Sequence, residues 1–201
     1  RFFKITASAI MTPLLYLIAF GWGLGKDIVI EGATYMHFVI PGIIALTTMN
    51  TSFNAISVRI NISKLHEKSF EYYLTSPVNM YLLALGHILS GAFRGMYASS
   101  FLFAAFGYGA ALSIESHYDM SRFTTYVMTP MSFLCGTFFS LKNLPPVIKG
   151  IIGVLPLSHT SQSLRDIVLK GQFDHRSILV LLIYSVIFYF WGVAMSFREM
   201  K

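Results

Sequence analysis

Hydrophobic positions in this chain form long, nearly uncharged runs rather than the alternation of a half-buried strand or the three-to-four spacing of a surface helix. Such runs cover Ile5 to Leu24, Gly32 to Val58, Val78 to Ile114, Phe123 to Leu141 and Ile178 to Phe197. A helix needs about 20 apolar residues to cross about 30 Å of hydrocarbon. The runs therefore predict an all-α polytopic membrane protein forming a single transmembrane domain over 1–201. Val78 to Ile114 holds only His87 and Arg94 as breaks, and is too long for one span and barely long enough for two. Either it turns near Gly91 to Gly95 with Arg94 at the tip, or residues near Phe103 to Phe106 are missing from the chain. Two spans there give six transmembrane helices.

Polar positions divide the runs unevenly. The first run carries Pro13, with Gly21, Gly23 and Gly25 at its far end, which suits a close approach or a loosened helix end. A short polar loop, Lys26 to Glu31, follows. The second run holds Thr47, Thr48, Asn50, Thr51, Ser52 and Asn54, side chains tolerated in lipid where they face protein or a wet cavity. Either this face lines an interface or path, or the hydroxyls bond carbonyls of their own helix. Arg59 to Pro77 mixes Phe70, Tyr72 and Tyr73 with Lys64, Glu67, Lys68 and Glu71. It predicts an amphipathic cytoplasmic helix that starts at a Ser63 cap and offers aromatics to a partner.

The most distinctive stretch is Pro130 to Ile167. Its apolar run ends in Gly136, Thr137, Phe138 and Phe139, then breaks at Leu144-Pro145-Pro146 and again at Pro156. Proline cannot continue the helical ladder, so a span that stops and lays short amphipathic helices along a membrane face is expected.

Composition supports the same class: 55% of residues are hydrophobic, 12% are charged, and mean hydropathy is +0.62. The formal charge of +6 is scattered between the runs without a basic patch interleaved with aromatics, so it reads as topology signal and lipid-headgroup contact rather than nucleic-acid binding. Arg1, Lys4, Arg59, Lys64 and Lys68 place the N-terminus and the first polar segment in the cytoplasm. Six spans then put Lys142 to Ser177 outside despite its five basic residues, and a five-span chain reversed after Arg94 fits the charge count better. The first run is too long for a signal-peptide core and is expected to remain as a span.

Site chemistry is sparse. Gly23 to Asp27 lacks the upstream glycine and the following Ser or Thr of a phosphate loop. His117 with Asp119 reads as a solvated connector rather than a metal pair, and Ser158, His159 and Asp166 as caps and interface groups rather than a hydrolase set. Cys135, the single cysteine, reads as a small core residue. Arg94 is either a charge at membrane depth or a headgroup contact.

Three stretches, taken in order, carry a resemblance. FLCGTFF followed by LPP and LPLSHTSQSLRDI resembles the C-terminal signature of the ABC-2 type transporter permeases, in the bacterial branch that includes lipo-oligosaccharide and daunorubicin-type exporter permeases. SFEYYLTSPVNM and YDMSRFTTYVMTPMSFL resemble that family's segment between spans two and three and its entry to span five. The resemblance implies six spans per subunit, two permease copies, and two cytoplasmic ATP-binding cassette subunits that bind ATP and Mg. It implies that Ser63, Lys64, His66, Glu67, Lys68, Phe70, Glu71, Tyr72 and Tyr73 form the coupling helix on the ATPase. Leu144, Pro145, Pro146 and Pro156 would mark external re-entrant helices that gate the exit. It also decides for six spans over five. The material between spans three and four is shorter than the family pattern, and the usual amphipathic helix before span one is absent.

The expected function is that of the permease subunit of a bacterial inner-membrane exporter for an amphiphile, not itself an enzyme and without a cofactor of its own. Thr47, Asn50 and Asn54 of span two and Met128, Phe133 and Phe138 of span five are expected to line the path, with membrane lipid around them. A secondary transporter or channel would need acids within the spans, whereas all nine Asp and Glu lie in loops or at span ends. A membrane-embedded enzyme would need an acid, base or metal set within a span, and none is evident.

Overall fold

The computed structural model describes residues 11, 13–24, 28–30, 33–65, 79–95, 98–141, 144–172 and 174–199. Helix dominates these residues, as the runs predict. One departure is a two-strand ladder, β1 (Val29–Ile30) paired antiparallel with β2 (Ala33–Thr34), just after the first run. Alternation over two residues per strand is too short to register as a strand pattern.

The second run becomes α1 (Tyr35–Leu65), 31 residues long. It continues through Ser63, which corrects the expectation of a new helix capped there: Ser63 lies near the end of α1, and Lys64 sits in its last turn, where the helix dipole favours a cation. Val78 to Ile114 forms α2 (Met80–Gly95) and α3 (Ala98–Ser113). Helix α2 therefore runs through Gly91 to Gly95 with Arg94 in its last turn, and α3 runs unbroken through Phe103 to Phe106. At 16 residues each, these helices reach about 24 Å.

The connector expected at Glu115 to Arg122 is largely helical. Ser116 accepts the Tyr118 N–H at 3.2 Å and starts α4 (His117–Phe123), which widens into a π-helical turn (Thr124–Met128) and resumes as α5 (Thr129–Leu134). The wide turn immediately precedes Pro130, which lacks an N–H and crowds the carbonyl four residues back. This helical stretch thus starts and stops earlier than the span expected from hydropathy over Phe123 to Leu141. Beyond it lie α6 (Pro146–Val154), α7 (Pro156–Arg165), a π turn (Asp166–Lys170) and α8 (His175–Glu199). The two prolines occupy first helical positions, where a missing N–H costs nothing. Among the described residues, only α1 and α8 are long and apolar enough to cross a membrane.

Contacts divide the chain into two units, Arg1–Thr47 with Pro130–Val180, and Thr48–Thr129 with Leu181–Lys201. In the second unit Ile56, Ile60, Ala84, Ile88, Tyr108 and Val193 form the core. The buried Tyr108 hydroxyl shares a 2.9 Å hydrogen bond with Ser196. Lys64 donates to Glu199 at 2.7 Å and to the Leu112 carbonyl at 3.1 Å, joining the ends of α1, α3 and α8. Gly107 lets backbone approach backbone, since a Cβ there would lie 2.8 Å from the Phe53 carbonyl oxygen. In the first unit Tyr35, Phe38, Val39 and Ile43 pack with Phe20 and Phe138.

Two predictions follow from these contacts. Gly107→Ala should destabilise the purified protein by about 1–3 kcal/mol through overpacking. Gly86→Ala, with open space around its Cβ, should be neutral or stabilising by up to about 1 kcal/mol. Thermal unfolding in detergent compares the two. Asp174 precedes α8 and accepts from the Ser177 hydroxyl and the Arg176 and Ser177 N–H groups. Its carboxyl is held below the ordinary aspartate range, chiefly by the Ser177 hydroxyl. A depressed folded value means the capping contribution is present above the ordinary range and lost as pH falls through the folded value. Asp174→Asn should therefore flatten the acid limb of a stability-against-pH curve.

Candidate functional site

The broken segment after α5 is held by one cation. Helix α5 ends at Leu134, and Gly136 turns the chain with φ 74°, a conformation that suits a residue without Cβ. The carbonyls exposed by that turn need donors. Arg165, 8% exposed at the end of α7, donates from Nη2 to Gly136 O at 2.5 Å and Thr137 O at 3.0 Å, and from Nε to Phe38 O at 3.0 Å. Its guanidinium carbon also lies 3.8 Å from the Phe38 ring centroid, a cation–π stack. Phe38 O lies in the turn of α1 that precedes Pro41. Only a planar fork with several fixed donors serves three carbonyls and a ring together.

Small residues make room for this clamp. A Cβ on Gly42 would lie 2.9 Å from Thr137 O and 3.0 Å from Arg165 Nη2. The Tyr35 hydroxyl donates to Phe138 O at 2.9 Å, Cys135 Sγ lies 3.1 Å from Thr137 Oγ1, and Ser161 Oγ donates to Cys135 O at 3.3 Å. Cys135 is fully buried.

The residues expected in the coupling helix fall mainly outside the described part of the chain: His66, Glu67, Lys68, Phe70, Glu71, Tyr72 and Tyr73 lie there. Ser63 and Lys64 are described, and the Lys64 ammonium is engaged within the chain as given above. The six expected path residues divide between the units, Thr47, Phe133 and Phe138 in one, Asn50, Asn54 and Met128 in the other. Thr47 Oγ1 donates to Ile43 O of its own helix at 2.7 Å. Asn54 is exposed, Asn50 half-buried and Met128 buried. Phe133 is exposed and its ring centroid lies 6.0 Å from that of Phe138. Of the gate residues, Leu144 is half-buried, Pro145 and Pro146 are exposed at the start of α6, and Pro156 opens α7. Apolar Val147, Ile151 and Val154 of α6 are exposed.

The readings of Ser158 and His159 as caps agree with the geometry. Ser158 Oγ donates to Ile152 O and Leu155 O at 2.8 and 2.6 Å, His159 Nε2 lies 2.8 Å from Gly153 O, and Asp166 pairs with Lys170. Among the described residues, no group of three His, Cys, Asp or Glu could hold a metal. Arg165 was not singled out from the sequence. Its signal was a lone cation among the small hydroxyl residues of LPLSHTSQSLRDI, the setting in which a charge near membrane depth serves protein groups.

Residues 91–169, which contain α3 to α7 and Arg165, match the family model described as ABC-2 type transporter. Over those residues the chain is similar to the ABC-2 type transporters. It is 24% identical over 243 residues to the inner membrane transport permease YadH of Escherichia coli K12, covering all of this chain and 93% of that protein. Nodulation protein J of Bradyrhizobium diazoefficiens is 24% identical over 223 residues, covering 94% of this chain and 84% of that protein. Nodulation protein J of Rhizobium leguminosarum bv. trifolii is 26% identical over 220 residues, with the same two coverages. No solved structure matches. The match and these relatives support a membrane transport permease subunit, and ABC-2 permeases in general work with ATP-binding cassette partners.

Arg165→Lys keeps the charge but not the fork, and should cost about 1–3 kcal/mol through unsatisfied buried carbonyls. Gly42→Ala should weaken the same contact. The double variant should lose less stability than the sum of the singles, read by thermal unfolding in a double-mutant cycle.

Proposed function

We propose that this chain is the permease of an ATP-driven exporter that moves an amphiphile, such as a glycolipid, lipid-linked saccharide or hydrophobic drug, across a bacterial inner membrane. The observation that carries the reading is the ABC-2 type transporter match over residues 91–169, which holds Arg165 and the broken segment. Alignment with the inner membrane permease YadH along the whole chain supports both the compartment and the transport role.

In this reading six spans form each subunit, two copies form the membrane core, and lipid covers the exposed apolar face of α8, which includes Leu182, Val186 and Phe190. Partner ATPase subunits bind ATP and Mg. Closure of those subunits moves the segment from Ser63 to Tyr73, and packed helices relay the shift, because a push is transmitted only through elements with discrete arrangements. Thr47, Asn50 and Asn54 with Met128, Phe133 and Phe138 line the path. The external end is formed by α6 and α7 as re-entrant helices, with Leu144, Pro145, Pro146 and Pro156 at its breaks. Commitment of Arg165 to carbonyls supports this sidedness, since a buried cation is no longer one of the loop charges that set orientation.

Purification from native membrane should yield a stoichiometric ATPase subunit, lost on charge reversal at Glu67 and Lys68. A permease that transports without such a partner refutes the reading. Within an assembled complex, Asn50→Ala and Phe133→Ala should reduce substrate-stimulated ATP hydrolysis while leaving basal hydrolysis in place; unchanged stimulation removes those residues from the path.

A further inference from the structure

A cavity of about 200 Å³ opens between α1 and the α4–π turn segment, within the unit built from Thr48–Thr129 and Leu181–Lys201. Asn54, Ser57, Asn61, Ser121 and Thr124 supply its polar wall, and Val58 and Met120 its apolar one, with His117 beside them. Asn54 and Ser121 are exposed at this wall, whereas Ser57 is fully buried and Asn61 is 1% exposed. The Ser57 hydroxyl and both ends of the Asn61 amide have no hydrogen-bond partner among the described residues. A buried amide left in that state is costly, and its side chain lines a space large enough for a ligand group to approach.

The wall narrows the chemistry of that group. It contains no Lys, Arg, Asp or Glu, and the nearby Arg122 is paired with Asp119 at 3.2 Å. An anionic or cationic head would lose its hydration here without gaining a counter-charge. A bare acyl chain would leave the Asn61 amide and the Ser57 hydroxyl unsatisfied. Amide and hydroxyl groups both donate and accept, as vicinal hydroxyls do, and Val58 and Met120 suit the C–H face of a ring. The volume falls below the 300–1,000 Å³ or so of drug-sized pockets, so it admits a ring and excludes a tail.

We infer that this cavity is a headgroup subsite for one neutral, hydroxyl-rich ring of an amphiphile, with Asn61 and Ser57 as its recognition residues. The inference rests on the exporter reading and selects sugar-headed amphiphiles from the classes named there.

The test uses the full-length permease with its membrane partners in nanodiscs, with Ser121→Cys as a reporter at the exposed wall. Native Cys135 is buried, and the parent protein measures its background labelling. Maleimide labelling of this chain is followed by mass spectrometry as dodecyl glucoside or dodecylphosphocholine, which share a tail, is added at matched mole fraction. Glucoside should slow labelling and phosphocholine should not. Asn61→Ala should raise the glucoside concentration needed by about tenfold, the effect of one lost hydrogen bond at a buried group. Ser57→Ala provides the same reading if the Asn61 variant fails to assemble. Equal protection by both amphiphiles, protection by neither, or protection unchanged in the assembled variants overturns the inference. ATP hydrolysis and partner content are measured on the same sample. Active complex without glucoside protection defeats the subsite alone, whereas protection without any ATPase partner defeats the exporter reading alone.

Discussion

A helix that stops within a low-dielectric environment leaves carbonyls that water cannot reach, and the fold must answer them from its own side chains. Arg165 provides that answer here, with donors on Gly136, Thr137 and Phe38 and its plane against the Phe38 ring. The consequence reaches well beyond one side chain. Gly136 can turn and α6 and α7 can follow as separate short helices because the guanidinium binds the turn's carbonyls and ties them to α1 at Phe38 O. Gly42 is bound by the same constraint, since a methyl group would intrude on Thr137 O and Arg165 together.

The other unit solves its packing differently. Glycine at 107 brings α3 against the backbone at Phe53, Tyr108 finds Ser196 across the helix contact, and Lys64 draws together the ends of α1, α3 and α8. Close backbone approach and a few side-chain hydrogen bonds replace the large apolar driving force that lipid does not supply. Against that economy, the unpartnered Ser57 and Asn61 stand out.

Much of the architecture was legible in the residues. Uninterrupted hydropathy gave the membrane class, Pro145, Pro146 and Pro156 marked where short helices begin, and the resemblance of the signature around them named the family that the match over 91–169 supports. Boundaries were less legible. Hydropathy cannot see that Ser116 caps a helix ahead of the greasy stretch, that Pro130 is accommodated by a π turn, or that α1 outruns its apolar face to Leu65. The clamp was hidden for a further reason. A basic residue in a connecting segment counts as a topology charge in sequence, and only tertiary packing reveals that Arg165 serves carbonyls 28, 29 and 127 positions away. The expected path residues were read along single helices and the expected coupling residues came from the resemblance, and neither source carries information on which helix faces which.

The match over residues 91–169 and the permease relatives support a transport subunit. The chemistry of energy conversion belongs, in our account, to a partner. The most direct measurement of that claim is uptake of a fluorescent sugar-headed amphiphile into sealed, inverted inner-membrane vesicles containing the complex. The account predicts accumulation that requires hydrolysable ATP and persists when ionophores collapse the ion gradients. Accumulation without ATP that the same ionophores abolish would contradict it.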